Sequence, residues 1–414
     1  MHILFVTDNF PPEVNAPASR TYEHCKEWVA RGAKVTVITG FPNFPIGKIF
    51  DGYQNSIYSN EIMDGIEVRR VWTYIAENKG FLKRTCDYLS FMFAAILASF
   101  FVKKVDIIVG TSPQIFTVCA AYVISRIKNR PWVFELRDIW PESIQVVGGI
   151  KNLRILKILQ ALEVFLYRKS THIVVVTNSF RRYLEGLGIE PQKITVIRNG
   201  INLEHFYPRD KCASLIDALD LQGKFVVGYI GTIGLAHNLD VLLNTAKLIA
   251  LDQKWQKIQF LIVGEGAEKF KLIQRIERES IANVAILDGV SKEDVVNYYS
   301  ILDFAVIHLK KDPLFEQVIP SKLFELVGQA IPILHGVQGE SAQLVEEYGV
   351  GVVFPSDDAN SLKGAIEGLY SNPSILKECK ANAMKYAHLF DRRKLADEMY
   401  EVLSKLSLPR KCSN

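Results

Sequence analysis

A chain of 414 residues, 49% hydrophobic and 23% charged, is too long for one ordinary domain and too apolar for a disordered one. Its net charge of +4 hides an asymmetry, because residues 1–200 carry 25 Lys and Arg against 17 Asp and Glu while the remainder carries 24 against 28. The basic first half suits a polyanion, and without a ribonucleoprotein motif, zinc finger or basic reading helix, an anionic membrane surface fits better than nucleic acid.

The N-terminal run from His2 to Thr7 reads as a buried strand, since it has neither the basic n-region nor the small-residue cleavage site of a signal peptide. A Pro-rich turn follows (Pro11, Pro12, Pro17), then a helix capped by Ser19 and ended by Gly32, then a β-branched strand at 34–39. Residues 88–102 are a stretch of 15 without a charge, bracketed by Lys83-Arg84 and Lys103-Lys104. As a helix this stretch is about 22 Å long, short of the ~30 Å hydrocarbon core, so it does not span. It is either a buried helix of an α/β domain or an interfacial helix whose basic flanks favour anionic headgroups; the basic stretch at 151–157 supports the second reading. Further strands are expected at 107–110, 132–135, 173–176 and 194–197.

The second half repeats the pattern. Lys224 to Ile230 forms a strand, 231–234 a Gly-containing turn, 239–250 a helix and 259–264 another strand. Strands at 284–287, 304–307 and 331–334 complete the set. Strand, loop, helix, strand over roughly 30–35 residues is a βαβ crossover, and near-continuous apolar runs suit parallel strands buried on both faces. The expected fold class is α/β, with two Rossmann-like doubly wound domains facing across a cleft. The domains run 1–200 and 201–390, with 391–414 a helix crossing back onto the first. Ligands of such sheets sit at the carboxyl ends of the strands. The six cysteines are scattered with no CxxC pair, which suits a reducing compartment and suggests neither disulfides nor zinc.

The most informative segment runs from Pro320 to Ile333. Pro320 delivers Ser321 and Lys322 to the start of a short helix, where backbone N–H groups and a fixed cation favour an anion. Glu325, one turn on, has the chemistry to accept two hydrogen bonds from a vicinal diol. A phosphate subsite beside a diol subsite describes a nucleotide; a solvated helix start with a surface lysine is the bland alternative. His24 and His172 read as core histidines. Asp357-Asp358 reads as an exposed turn and helix start, and no Asp-x-Asp follows a strand, so no catalytic metal is expected.

Six segments in order carry a resemblance: Phe10 to Arg20; Phe134-Glu135-Leu136-Arg137-Asp138-Ile139-Trp140-Pro141-Glu142-Ser143; Val196 to Asn202 with Phe206; Leu261 to Gly266; Leu287 to Val290; and Pro320-Ser321-Lys322 with Glu325, Gly328 and Pro332. Together they resemble GT-B glycosyltransferase family 4, in the bacterial surface-polysaccharide branch that contains the fucosamine transferases. The resemblance implies retaining transfer of a sugar, such as an N-acetylated deoxyhexosamine, from a UDP-sugar to an undecaprenyl-diphosphate-linked saccharide. It implies no cofactor and a place at the cytoplasmic face of the inner membrane, in the making of O-antigen or capsule. Donor-binding positions would be Glu325, Ser321, Lys322, Leu323, Gly231, Thr232, Gly264, Val290 and Gln317. Acceptor-binding positions would be Asn15, Ala16, Arg20 and Glu142, and catalytic ones Asp138, Arg137 and Lys322.

Three departures stand out. Gln317 replaces the first Glu of the family's Glu-x7-Glu element, with Glu316 one residue out of register. Thr232 and His237 stand where many members hold the diphosphate with Arg and Lys, so backbone amides at 231–234 and 321–323 are expected to share that work with Lys322. Arg137-Asp138 stands near the family's usual His; Asp138 is suited to orienting the acceptor hydroxyl or stabilising positive charge on the sugar, or else to capping a helix, Arg137 to contacting phosphate, and Glu135 to partnering Arg137. The rival functions are a GT-B nucleotide-sugar epimerase and a non-catalytic sugar-nucleotide-binding homologue. A Rossmann oxidoreductase is the weakest rival, since no strand is followed by GxGxxG with an acidic residue some 20 positions on.

Overall fold

A computed structural model describes residues 1–44, 47–75, 81–141 and 152–408. The chain divides into two compact units, Met1–Asn199 with Arg392–Asn414, and Gly200–Asp391. The first is built on an eight-stranded sheet ordered β3-β4-β2-β1-β5-β6-β7-β8. Its strands are β1 (His2–Val6), β2 (Lys34–Gly40), β3 (Tyr58–Met63), β4 (Ile66–Val71), β5 (Ile107–Thr111), β6 (Trp132–Leu136), β7 (His172–Val175) and β8 (Ile194–Val196). Every pairing is parallel except β3 with β4. Residues of β1, β5 and β6 are buried throughout, as expected of strands covered on both faces.

The first helix, Ala16–Ala30, starts earlier than its sequence signals suggested. Asn15, not Ser19, is its N-cap, accepting from the Ala18 amide at 2.8 Å, and Pro17 occupies its first turn. The β3–β4 hairpin went unread, although Asp64-Gly65, both at positive φ (48° and 80°), is the dipeptide that two-residue hairpin turns favour. The uncharged stretch forms most of the helix Phe81–Ser99 and divides by face: Phe91 and Ala95 enter the core while Phe93 and Leu97 are exposed. No helix among the described residues is long and apolar enough to cross a membrane. The last helix, Arg392–Ser407, packs on Ala16–Ala30: Trp28 Nε1 donates to the Ala396 carbonyl at 2.9 Å, and Leu395, Met399 and Leu403 join the core of Phe5 and Trp28.

The second unit holds six strands, β9 (Phe225–Ile230), β10 (Ile258–Val263), β11 (Val284–Leu287), β12 (Phe304–His308), β13 (Ile333–Gly336) and β14 (Gly351–Val353). They are all parallel, in the order β11-β10-β9-β12-β13-β14. Strand order reverses between β9 and β12, and at such a switch point the loops leaving the two carboxyl ends diverge and open a crevice. β14 was not read from sequence; three residues are too few to show a period. One core packs Phe324, Val327 and Ala383 against the sheet, and the other packs Leu242, Ile249, Trp255 and Leu362.

The loops leaving β9 and β10 run backbone against backbone. Gly231 N–H donates to the Val263 carbonyl and Ile233 N–H to the Glu265 carbonyl, both at 2.8 Å. A Cβ on Gly264 would lie 1.9 Å from the Gly231 oxygen, and one on Gly266 would lie 2.1 Å from the Ile233 oxygen, so both must be glycine for the loops to meet. Gly264→Ala is therefore expected to lose at least about 1–3 kcal/mol in urea unfolding, the range of overpacking. Gly364→Ala, an exposed helical position whose added Cβ meets nothing within 4 Å, should be neutral or gain up to ~1 kcal/mol.

Candidate functional site

In the second unit, the switch point carries a cation on an aromatic platform. β9 ends in Tyr229-Ile230 and turns at Gly231. The helix Lys322–Gly328 places the Lys322 ammonium 3.8 Å from the centroid of the Tyr229 ring, so close to Gly231 that a Cβ there would lie 2.4 Å from Nζ. The Tyr229 hydroxyl donates to the Thr232 carbonyl at 2.7 Å, tying the platform to its own loop. No carboxylate lies within ion-pairing distance of Lys322 among the described residues. A cation–π contact contributes roughly 0.5–2 kcal/mol, whereas desolvating an ion costs several. Desolvation wins: burial presses the Lys322 ammonium down to about 7, with Glu325 opposing, although the residue keeps some exposure.

Glu325 sits one turn further along. The buried Tyr299 donates its hydroxyl to Glu325 Oε2 at 2.8 Å, fixing the carboxylate as an oriented acceptor. Tyr299 was missed from sequence, because a tyrosine in the short helix Val295–Ser300 carries no local signal of a partner 26 residues away. Around this pair, Glu265 accepts from the Gly289 amide at 2.9 Å and pairs with Lys269 at 2.7 Å, which positions the loop bearing Val290 beside that of Gly264. Gln317 ends the turn Phe315–Gln317, held where the Glu316 carbonyl would lie 2.0 Å from a Cβ on Gly339.

The expectation of free amides at the start of the short helix fails at Leu323. Its N–H is taken by the Pro320 carbonyl at 3.0 Å and its side chain is in the core. The next amide, of Phe324, is likewise taken by the Ser321 carbonyl at 3.1 Å, and Ser321 caps nothing with its side chain. The amides of Leu323 and Phe324 are thus engaged within the helix's own first turn, and Lys322 is the charged anion-attracting group there.

A second hub fixes the loops of β9, β12 and β14. His308 Nε2 accepts from the Asp357 amide at 3.0 Å, so Nδ1 carries the proton and donates to the His237 carbonyl at 2.7 Å. Asp357 in turn accepts from the Lys311 amide and from Asn238 Nδ2, at 2.9 and 2.7 Å. Asp358 caps the helix Ala359–Ser371 through the amides of Asn360 and Ser361.

In the first unit, the residues expected to meet an acceptor divide into structural and accessible ones. Arg20 is buried: Nε pairs with Glu135 at 3.0 Å, Nη1 donates to the Arg198 carbonyl at 2.8 Å and Nη2 to that of Ile197 at 3.4 Å. Every guanidinium nitrogen is thus committed within the unit, which corrects the reading of Arg20 as an acceptor ligand. It also corrects the partner of Glu135, whose ion pair is with Arg20; burial raises that carboxyl, but Arg20 and Arg137 outweigh it and hold it below its ordinary value. Asn15, besides capping its helix, donates to Asn9 Oδ1 at 2.6 Å, so it too is structural. Ala16 offers its carbonyl to Arg137 Nη2 at 3.5 Å.

Arg137 leaves β6 half-buried, its amide on Ser112 Oγ at 2.8 Å and Nη1 at 3.4 Å from the Pro17 carbonyl. Burial lowers it to about 9, with Glu135 opposing and the neighbouring Arg20 and Arg392 adding to the shift. Asp138 follows it, half-buried, before the buried Ile139 and Trp140. Glu142 lies outside the described residues. At the exit of β1, sequence reasoning missed Asp8, whose carboxyl is pushed up to about 8 by burial and by Asp87 and Glu13, and Asp87, raised by burial to about 6. Their signal is spatial: the positions are far apart in the chain.

Two family models match, "Glycosyltransferase Family 4" over residues 18–205 and "Glycosyl transferases group 1" over residues 216–386. The chain belongs to glycosyltransferase family 4, of the GT-B type. The transferase is 22% identical over 378 residues to the glycosyl transferase WcaI assigned to colanic acid biosynthesis in Escherichia coli (strain K12), covering 88% of this chain and 91% of that one. Its fold matches sucrose-phosphate synthase from Thermosynechococcus elongatus with a TM-score of 0.73 at 16% identity, over 98% of each chain. It also matches Anabaena HepE in complex with UDP and glucose, with a TM-score of 0.72 at 17% identity, over 98% of this chain and 100% of that one.

The transferase's Lys322 is expected to lower the stability of the ligand-free state. Its folded value of about 7 lies below the ordinary 10.5, so between the two the unfolded chain binds more protons. The penalty is full below pH 7 and lifts as pH rises toward 10.5. Lys322→Met is therefore expected to raise the melting temperature of the unliganded enzyme at neutral pH, and to flatten the rise in stability that wild type shows on going alkaline; differential scanning calorimetry across that range checks it.

Proposed function

We propose that this transferase moves a sugar, with retention of anomeric configuration, from a UDP-sugar to a lipid-linked saccharide in the making of a surface polysaccharide. The observation that carries this reading is the pair at the switch point: an under-compensated cation, Lys322 on Tyr229, one turn from a carboxylate held by Tyr299. The diphosphate of the donor sits on Lys322 and its ribose diol on Glu325, with the base among 264–266 and 289–290. When the bond from the anomeric carbon to the β-phosphate breaks, negative charge grows on the departing diphosphate, and a cation already desolvated stabilises that charge without reorganising. The acceptor oxygen bonds to the same face of the anomeric carbon, and its proton passes to the leaving phosphate. Thr232 and Gln317 supply only neutral contacts, so the reaction relies on positioning and on this charge rather than on a protein nucleophile.

The first unit takes the acceptor. Arg137, surrounded by more positive than negative charge, meets the acceptor's phosphate, and Asp138 orients the hydroxyl that attacks. Asp8, protonated at neutral pH, is a donor to a sugar hydroxyl. The lipid end of the acceptor brings the enzyme to the cytoplasmic face of the inner membrane, and the exposed Phe93, Leu97, Phe100 and Phe101, followed by Lys103 and Lys104, suit an anionic surface. No metal or other cofactor takes part.

Incubation with UDP-sugars and a polyprenyl-diphosphate-linked saccharide, read by NMR of the anomeric proton, tests the reaction. A product with the donor's configuration, formed equally in EDTA, is expected, and Glu325→Ala should lower turnover at least ~100-fold if the diol contact positions the donor. Conversion of the donor to an epimer without acceptor would establish the epimerase instead, and tight binding without turnover the non-catalytic homologue. In vesicle flotation, wild type should float with phosphatidylglycerol but not phosphatidylcholine, and Leu97→Glu with Phe101→Glu should remain at the bottom with both.

A further inference from the structure

The hairpin that borders the first sheet leaves an edge without the usual protection. β3 lies outermost, paired with β4 alone. The other edge strands, β8, β11 and β14, are three, four and three residues long, and short edges offer little to a second chain. β3 has six residues, paired without a bulge, and contains neither proline nor lysine. Its one charge, Glu61, is turned aside to Arg70 Nε at 2.6 Å.

The ladder decides which backbone groups are free. Met63 and Ile66 flank the two-residue turn, and the Ile57 carbonyl accepts from the Trp72 amide at 3.2 Å, so odd-numbered residues exchange their hydrogen bonds with β4. The N–H and C=O groups of Tyr58, Asn60 and Ile62 therefore point away from the sheet, and the Tyr58 carbonyl takes a long contact, 3.5 Å, from Ser56 Oγ. Ile57, Tyr58 and Ile62 are 86%, 41% and 75% exposed, and the exposed Phe101 ring lies 6.2 Å from that of Tyr58, between centroids.

Backbone groups alone would accept any strand, so the side chains must select one. Residues 57–63 read Ile-Tyr-Ser-Asn-Glu-Ile-Met, an apolar pair, three polar residues and an apolar pair, symmetric about Asn60. We propose that β3 pairs antiparallel with β3 of a second copy of this chain, about a two-fold axis at Asn60, which joins the two eight-stranded sheets into one. Asn60 then faces Asn60 of the partner subunit, Tyr58 faces the partner's Ile62, Ile57 the partner's Met63, and Glu61 the partner's Ser59. No like charges meet, and an aromatic ring against a β-branched side chain is a favourable cross-strand pair that the symmetry makes twice. A slip of two residues either way sets Tyr58 and Ile62 against polar residues, and in one direction Glu61 against itself, so the register is specified. Opposed residues share a face, so the exposed Phe93, Leu97, Phe100 and Phe101 of both copies lie on one side of the joined sheet. That last consequence doubles the proposed membrane contact and rests on that reading; the pairing itself does not.

Size-exclusion chromatography with light scattering, from about 1 to about 100 μM, should show a mass rising towards twice the 46.8 kDa of the chain. Ile62→Lys, which puts a charge on an exposed position, should weaken the dimer at least ~10-fold, because symmetry removes two apolar pairs at once, and should leave the circular dichroism unchanged. In a background with Cys86 and Cys412 replaced by serine, Asn60→Cys should oxidise to a covalent dimer, since residues opposed in a hydrogen-bonded pair stand about 5.5 Å apart at Cα, within disulfide reach. Ile62→Cys should not, because its two copies lie about 13 Å apart along the strands. A monomer at every concentration, a mass that climbs past two chains, a dimer untouched by Ile62→Lys, or cross-linking as ready through Ile62→Cys as through Asn60→Cys would each overturn the proposal.

Discussion

A lysine ammonium pressed against the face of Tyr229, partly desolvated and without a carboxylate in ion-pairing range among the described residues, is the interaction to which the rest of the second unit answers. Left alone it is unfavourable, because the aromatic face returns less than the lost hydration. The surrounding structure makes room for it. Gly231 leaves room for the ammonium, Gly264 and Gly266 let the next loop brace the turn, and His308 ties that turn to the loops of β12 and β14. Such strain is retained where an anion relieves it, and the balance between stability and ligand charge is the ordinary trade at functional sites.

The first unit shows the contrasting solution. Arg20 and Glu135 are both buried, but they are paired and the remaining guanidinium donors of Arg20 are met by carbonyls, so they hold the exits of β6 and β8 together. Breaking such a pair by removing one partner strands a buried charge and costs far more than the pair contributes. Arg137, two residues beyond Glu135, shares the same carboxylate at longer range and is left in net positive surroundings. Compensation thus separates the fully paired arginine from the one left in net positive surroundings, and burial alone does not.

Parallel strands buried on both faces were legible because continuous apolar runs need no partner to be recognised, and β11 was placed to the residue. The helix start at Asn15 was misplaced because Ser19 offers the same capping chemistry four residues later, and only the backbone decides between them. Lys322 and Glu325 were legible because they stand together on one turn. Tyr299, His308 and Asp357 were not, since each acts on a residue at least 26 positions away or from another strand, and no local spacing records that. Arg20 was misread for the same reason: its partner is 115 residues distant.

The central claim is that the anion which Lys322 lacks is the diphosphate of a donor nucleotide. The most direct measurement is a crystal structure of the enzyme with UDP. A phosphate oxygen about 2.7–3.0 Å from Lys322 Nζ, with the ribose hydroxyls on the Glu325 carboxylate, is the predicted result. UDP bound elsewhere, with Lys322 still lying on Tyr229 and no anion beside it, would contradict the account.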